Sequence, residues 1–279
     1  MCGIVGYAGN KKALNKILTG LKSLEYRGYD SAGIAYIKDD EIKIIKKEGP
    51  IKNLEENINY DEDTNIGISH TRWATHGEAN DINAHPHRQG KITLVHNGII
   101  ENYDELKKEL TKKGYVFKSG TDTEVAAAVI DDVYNKEKEM IKVLNKITHI
   151  LKGSYAFNII NDDYKDVIFG IRKDSPLIVG IGDNENVLAS DIPAIVHITN
   201  KYVVLDNYDV VYLTKDNVKY YNRAGKEIKK TVKEFPLEKE TISKNGYDHF
   251  MLKEINEEPE LVKKLLNLYT EKYKVKDIF

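Results

Sequence analysis

A layered α+β fold is what this sequence predicts, on three observations. Short strand-like runs, then helical runs, then short strand-like runs again follow one another along the chain. The strand-like runs are spaced like hairpins rather than like the long crossovers of a parallel nucleotide-binding sheet. With 279 residues the chain can bury a sizeable core, in one large domain or two small ones.

Gly3 to Ala8 reads as a buried strand, and residues 11–26 then place Leu14, Ile17, Leu18, Leu21 and Leu24 at helical spacing. A polar, glycine-bearing loop from Glu25 to Ser31 ends that helix. Runs at 32–37 and 41–47 form a hairpin through Lys38-Asp39-Asp40, and 51–58 suits a short helix. Strands at 65–70 and 91–96 are separated by a loop rich in His, Asn and Pro, of a length that is usually functional or disordered. Helices follow at about 101–114, 122–136 and 139–152, with Thr121 and Glu124 spaced as a capping box. Short strands return between 153 and 222, among them 154–160, 166–171, 177–181 and 210–213. Residues 235–240 look like a linker. Beyond it 249–269 reads as helical but interrupted at Pro259, with a second helix starting near the proline. Its Leu261, Val262, Leu265, Leu266 and Leu268 need a partner surface.

Charged residues make up 31% of the chain but the net formal charge is only −2, so no strong field points to nucleic acid or an anionic membrane. No apolar run approaches the roughly 20 residues needed to cross a bilayer, and the start of the chain lacks the basic-then-apolar pattern of a signal peptide. One cysteine cannot make an intramolecular disulfide, and a thiol kept for chemistry suits a reducing compartment. The expected location is cytoplasmic.

That cysteine, Cys2, stands directly behind Met1. Methionine is normally trimmed before a small residue, which would leave a free amine and a thiol on one residue. A thiol of pKa about 8.5 needs a base at neutral pH, and an N-terminal amine can serve. With a pKa of about 7.7–8.0, roughly a tenth of that amine is neutral at pH 7, far more than of a lysine near 10.4. The alternative is a cysteine that merely occupies a buried first strand.

His70-Thr71-Arg72-Trp73-Ala74-Thr75-His76-Gly77-Glu78 gathers the only tryptophan, an arginine and two histidines in one polar run. Arg72 could clamp a carboxylate with two parallel hydrogen bonds, or be a solvated surface arginine. Asn97-Gly98 most often marks a tight turn, yet a side-chain amide beside a glycine N–H also supplies two donors to a developing oxyanion. Asp122 suits a helix start and equally a substrate ammonium. His70, His76, His85, His87 and His96 raise a metal question, but there is no His-Glu-x-x-His, and one cysteine rules out multi-cysteine zinc patterns. Gly3, Gly6 and Gly9 do not meet the dinucleotide fingerprint, and no phosphate-binding P-loop occurs.

Cys2-Gly3-Ile4-Val5-Gly6, LEYRGYDSAG at 24–33, HTRWATHGE at 70–78, NAHPH at 83–87, HNGIIEN at 96–102 and TDTE at 121–124 together resemble the glutaminase domain of glucosamine-6-phosphate synthases, through about residue 259. The resemblance implies an N-terminal-nucleophile hydrolase fold, a four-layer αββα sandwich with two antiparallel sheets, in a class II glutaminase domain over 2–235. Residues 236–279 would be the interdomain linker and the start of a missing sugar-phosphate isomerase region. By the same resemblance Cys2 is the nucleophile, its α-amine the base, and Asn97 with the Gly98 N–H the oxyanion hole. Arg72 would hold the α-carboxylate of L-glutamine and Asp122 its ammonium, Thr75 and His76 would line the pocket, and Trp73 would gate the exit of ammonia. No metal or organic cofactor is implied, nor nucleic acid or membrane. The implied partners are L-glutamine, the isomerase domain absent from this chain, and a second copy in a full-length homodimer. The chain would then be a domain on its own, a fragment or a split subunit. A catalytically idle glutamine-sensing module is the competing class, against which the matched catalytic positions argue.

Overall fold

The computed structural model describes residues 2–10, 12–62, 64–74, 77–235, 246–247 and 250–272. The chain divides into two compact units, Met1–Pro236 and Leu237–Phe279. The first is built on β1 (Gly3–Gly9), β2 (Ser31–Lys38), β3 (Glu41–Glu48), β4 (Ile66–Arg72), β5 (His87–Gln89), β6 (Ile92–Ile100), β7 (Gly153–Asn161) and β8 (Tyr164–Lys173). It continues with β9 (Ile178–Ile181), β10 (Glu185–Ala189), β11 (Lys201–Val204), β12 (Val210–Leu213), β13 (Val218–Tyr221), β14 (Glu227–Ile228) and β15 (Lys233–Glu234). Among the described residues these form an eight-stranded sheet, β15-β11-β9-β10-β1-β4-β2-β3, and a seven-stranded one, β14-β13-β12-β8-β7-β6-β5. The pairings are antiparallel, as the hairpin-like spacing requires.

Alternation along each strand explains the layering. In β1, Val5 and Tyr7 join the outer core under helix α1 (Ala13–Lys22), whose Leu14, Ile17, Leu18 and Leu21 are buried, while Ile4 and Ala8 point the other way. The opposite faces of the two sheets meet through Ile4, Ile68, Val95, Ala156, Ile168 and Leu188. On the far side, Ile92, Leu94, Phe157 and Phe169 pack under α3 (Tyr103–Lys112), α4 (Asp122–Glu137) and α5 (Met140–Ile147). Helix, sheet, sheet, helix is the four-layer αββα sandwich expected. Each fully buried Leu, Ile or Phe contributes about 1.5–3 kcal/mol to it.

The expected hairpin at 32–47 is β2 and β3 in continuous register, Ser31 opposite Glu48 through Lys38 opposite Glu41. The first helix is shorter than its apolar spacing suggested, ending at Lys22 before a 3-10 turn at Glu25–Arg27. The 71–90 segment, read as pure loop, carries the edge strand β5. The capping box is half made: the Glu124 N–H donates to Thr121 Oγ1 at 3.3 Å, but the Glu124 carboxylate accepts from the N–H groups of Lys118 and Ser119 instead of that of Thr121. In the second unit, α6 (Phe250–Asn267) runs through Pro259 without the expected break. A proline removes one ladder bond, here the one to the carbonyl of Ile255, and that residue is 54% exposed, so water can replace the donor.

Candidate active site

Strand alternation brings the candidate residues to one place. Ile66 and Ile68 of β4 face the opposite sheet, which sends His70 and Arg72 the same way; Val95 of β6 does this for Asn97, and Ile4 of β1 for Cys2. Antiparallel pairing of Gly3 with Thr71 then lays Cys2 beside the outgoing end of β4. The Trp73 N–H donates to Cys2 Sγ at 3.2 Å, and the sulfur lies 3.6 Å from the Trp73 carbonyl. Across the gap between the sheets, Asn97 Nδ2 donates to the Cys2 carbonyl at 3.0 Å.

Asn97 and Gly98 sit inside β6, opposite Ala156 and Tyr155, which corrects the expectation that this dipeptide marks a tight turn. Gly98 has φ +134°, and a Cβ there would stand 2.1 Å from the Ser154 carbonyl oxygen. Both the backbone conformation and the space admit only glycine.

The loop after β4 is held by the polar turn that follows α1. The Asp30 N–H donates to the Arg72 carbonyl at 3.0 Å, and the Ala74 N–H donates to Asp30 Oδ2 at 2.9 Å. Thr71 Oγ1 donates to the Gly28 carbonyl, and a Cβ on Gly28 would lie 2.6 Å from the Arg72 carbonyl carbon. Asp30 and Gly28 thus shape the loop of the candidate site, where the sequence shows them only as part of a motif. Arg72 is 4% exposed and its guanidinium donates to the carbonyls of Gly77 at 2.9 Å and Glu78 at 3.2 Å. Asn83 ties that loop to the start of α4, its Nδ2 donating to the Glu78 carbonyl and its Oδ1 accepting from the Gly120 N–H.

Asp122 is the first residue of α4, capped by Thr121, where the helix dipole favours a carboxylate. It is buried, and its Oδ2 accepts from the Ile100 N–H at 2.7 Å. Burial lowers the Arg72 guanidinium from its ordinary value, and the nearby Asp122 and Asp30 carboxylates oppose that shift. Trp73 is 53% exposed beside the thiol. Thr75 and His76 lie outside the described residues.

His70, His85, His87 and His96 form a buried cluster, with the His70 and His85 rings 4.1 Å apart. Among the described residues no group of three or more His, Cys, Asp or Glu is arranged to hold a metal ion. Burial drives three of them to the neutral form, with His70 pushed down to about 3 and His85 and His87 well below the ordinary histidine range. Burial also raises the Cys2 thiol above its ordinary value, against the Trp73 N–H bond and the Arg72 charge, both of which lower it. The thiol is therefore protonated at neutral pH and needs a base to become a nucleophile. Two cavities of about 470 and 510 Å³ lie elsewhere, one beside Lys46 and Glu124 and the other beside Asp183 and Lys215, and neither is lined by Cys2.

Residues 70–197 match the family of the glutamine amidotransferase domain. The fold is shared with a glutamine phosphoribosylpyrophosphate amidotransferase from B. subtilis solved with ADP and GMP, at a TM-score of 0.69 and 26% identity over 80% of this chain and 49% of that one. A glutamine aminotransferase class-II domain protein from Silicibacter pomeroyi shares the fold at a TM-score of 0.52, with 11% identity, over 79% of this chain and 99% of that one. The chain thus carries a glutamine amidotransferase domain with the fold of the N-terminal-nucleophile glutamine amidotransferases. Within that class its sequence is similar to glutamine–fructose-6-phosphate aminotransferases (isomerizing). That of Fusobacterium nucleatum is 48% identical over 278 residues, 98% of this chain and 46% of the relative. That of Thermococcus kodakarensis is 48% identical over 268 residues, 94% of this chain and 44% of the relative. The chain spans a little under half the length of these curated relatives.

Proposed function

We propose that the chain hydrolyses L-glutamine to glutamate and ammonia through a thioester on Cys2. The observation that carries this reading is the seat of Cys2: a thiol accepting from a backbone N–H, with the Asn97 amide at its carbonyl and the glycine-only Gly98 next in the strand. With Met1 removed, the α-amine takes the thiol proton, and the thiolate attacks the side-chain carbonyl of glutamine. Asn97 Nδ2 and the Gly98 N–H stabilise the oxyanion that forms, preorganised in a largely buried strand where such donors act most strongly. The protonated amine gives its proton to the leaving nitrogen, ammonia departs, and water, deprotonated by the same amine, hydrolyses the γ-glutamyl thioester. Cys2 is thereby restored.

In this reading Arg72 binds the α-carboxylate and Asp122 the α-ammonium, so the amino-acid end is held between a buried cation and a buried anion. Thr75 and His76 line the pocket, and Trp73, exposed beside the thiol, covers the path by which ammonia leaves. Every step uses protein groups and water. The ammonia serves the making of glucosamine 6-phosphate from fructose 6-phosphate by a sugar-phosphate isomerase domain of a homodimeric, cytoplasmic enzyme, with Leu237–Phe279 leading towards that domain. Nucleic acid has no part in it.

Incubating the purified chain with glutamine and fructose 6-phosphate, and measuring glutamate and amino sugar together, tests the reading. Glutamate without amino sugar is expected. Amino sugar from the chain alone would overturn the domain assignment, and neither product would favour an idle glutamine-sensing module.

A further inference from the structure

His70 is 0% exposed on β4, in the row of side chains that faces the second sheet, and its ring reaches Asn97. Its Nε2 lies 3.0 Å from the His96 carbonyl oxygen and 3.0 Å from Asn97 Oδ1. The tautomer follows from the partners. Asn97 must turn its nitrogen to the Cys2 carbonyl, which can only accept, so Oδ1 faces His70; two acceptors then converge on Nε2, and that nitrogen carries the proton. His70 Nδ1 is left as the unprotonated atom, and it is buried with no hydrogen-bond partner among the described residues. A second proton there would be unsatisfied.

We propose that His70 is a positioning residue for the oxyanion hole: its Nε2–H, shared between the His96 carbonyl and Asn97 Oδ1, fixes the plane of the Asn97 amide so that Nδ2 stays directed at Cys2. The inference rests on the glutaminase reading and deepens it. An asparagine side chain on a strand has two soft torsions, and the oxyanion donor is worth its full effect only when held within a few tenths of an ångström of the developing charge. At one end the amide is held by the Cys2 carbonyl, which takes one of its two N–H groups; at the other, His70 holds the oxygen. The second N–H of Nδ2 is then pinned in direction by two bonds made to other atoms. His96 serves the same device from its backbone, while its ring turns the other way, Nδ1 lying 3.0 Å from Thr123 Oγ1 of α4.

The test is a double-mutant cycle with Asn97→Ala, using two near-isosteric replacements. Methionine removes the donor, and glutamine puts an N–H close to the position of Nε2. His70→Met is expected to lower kcat about 10- to 100-fold with KM changed less than about 3-fold, and His70→Gln to restore kcat to within about 5-fold of the parent. In the Asn97→Ala background both replacements are expected to have no further effect on kcat, a coupling that a merely structural role would not produce. Should His70→Met fail to fold, His70→Gln carries the cycle, its small loss vanishing in the Asn97→Ala background. Losses that multiply with that of Asn97→Ala, or a His70→Met enzyme as active as the parent, would overturn the positioning role and leave the glutaminase reading standing. A parent chain with no glutaminase activity would instead sink that reading.

Discussion

At Cys2 the structure puts two opposed influences on one sulfur: burial that keeps the thiol neutral, and a backbone N–H with a nearby guanidinium that favour the thiolate. Burial prevails, so in the proposed reaction the thiol needs a base. In the proposed glutaminase reaction the site residues divide by when they act. Asn97 offers a donor that matters chiefly to the transition state, so Asn97→Ala is expected to lower kcat about 10²–10³-fold with a smaller change in KM. Arg72→Lys and Asp122→Asn are expected to raise KM strongly, because in the proposed reaction they hold the amino-acid end of glutamine in ground and transition states alike. Steady-state kinetics on the three variants checks both, and the opposite pattern would mean that the roles are exchanged.

At the scale of the element, β6 is the instructive case. Gly98→Ala is expected to cost stability and activity together, since its Cβ would run into the Ser154 carbonyl at a φ of +134°. Denaturant unfolding of Gly98→Ala and Asn97→Ala, side by side, should show a lower midpoint for the first and a much smaller change for the second. The sequence could not show this use of Asn-Gly, because positive φ is as useful in a turn as in a distorted strand, and only the partner strand decides between them. His70 was equally hidden. Quoted as one of a histidine cluster and weighed for metal, it could have been placed by counting from Ile66 and Ile68, which share its side of β4; a buried imidazole there needs partners from the other sheet. What was legible was whatever depends on local pattern: the β2–β3 hairpin, the stripe of α1, the Thr121 cap and the antiparallel spacing. What was not legible depends on a partner far along the chain, such as the pairing that makes β5 or the acceptors that draw Glu124 away from the Thr121 N–H. Pro259 inside α6 belongs with these, because whether a lost ladder bond breaks a helix depends on what replaces it.

For the molecule as a whole, buried uncharged histidines set a pH dependence. His70, His85 and His87 have folded-state pKa values below that of an unfolded histidine, about 6.5, so the unfolded chain binds more protons in acid. Their stabilisation is complete above about pH 6.5 and is lost as pH falls towards the folded values. Lowered carboxylates such as Glu62 and Asp163 act in the same direction, but only below about pH 4.5. The denaturant midpoint of the chain, measured at intervals from pH 7.5 to 5, is therefore expected to hold above about pH 6.5 and fall below it, before the carboxylates titrate. A midpoint flat down to pH 5 would show that the histidines are not held neutral.

The α-amine and thiol of Cys2 acting as one centre is tested most directly by intact-mass spectrometry of the chain quenched in acid during glutamine turnover. A γ-glutamyl adduct confined to chains that have lost Met1, mapped to Cys2 and absent from Cys2→Ala, is the expected result. Turnover by a preparation that retains Met1, or glutamate formed by Cys2→Ala, would contradict it.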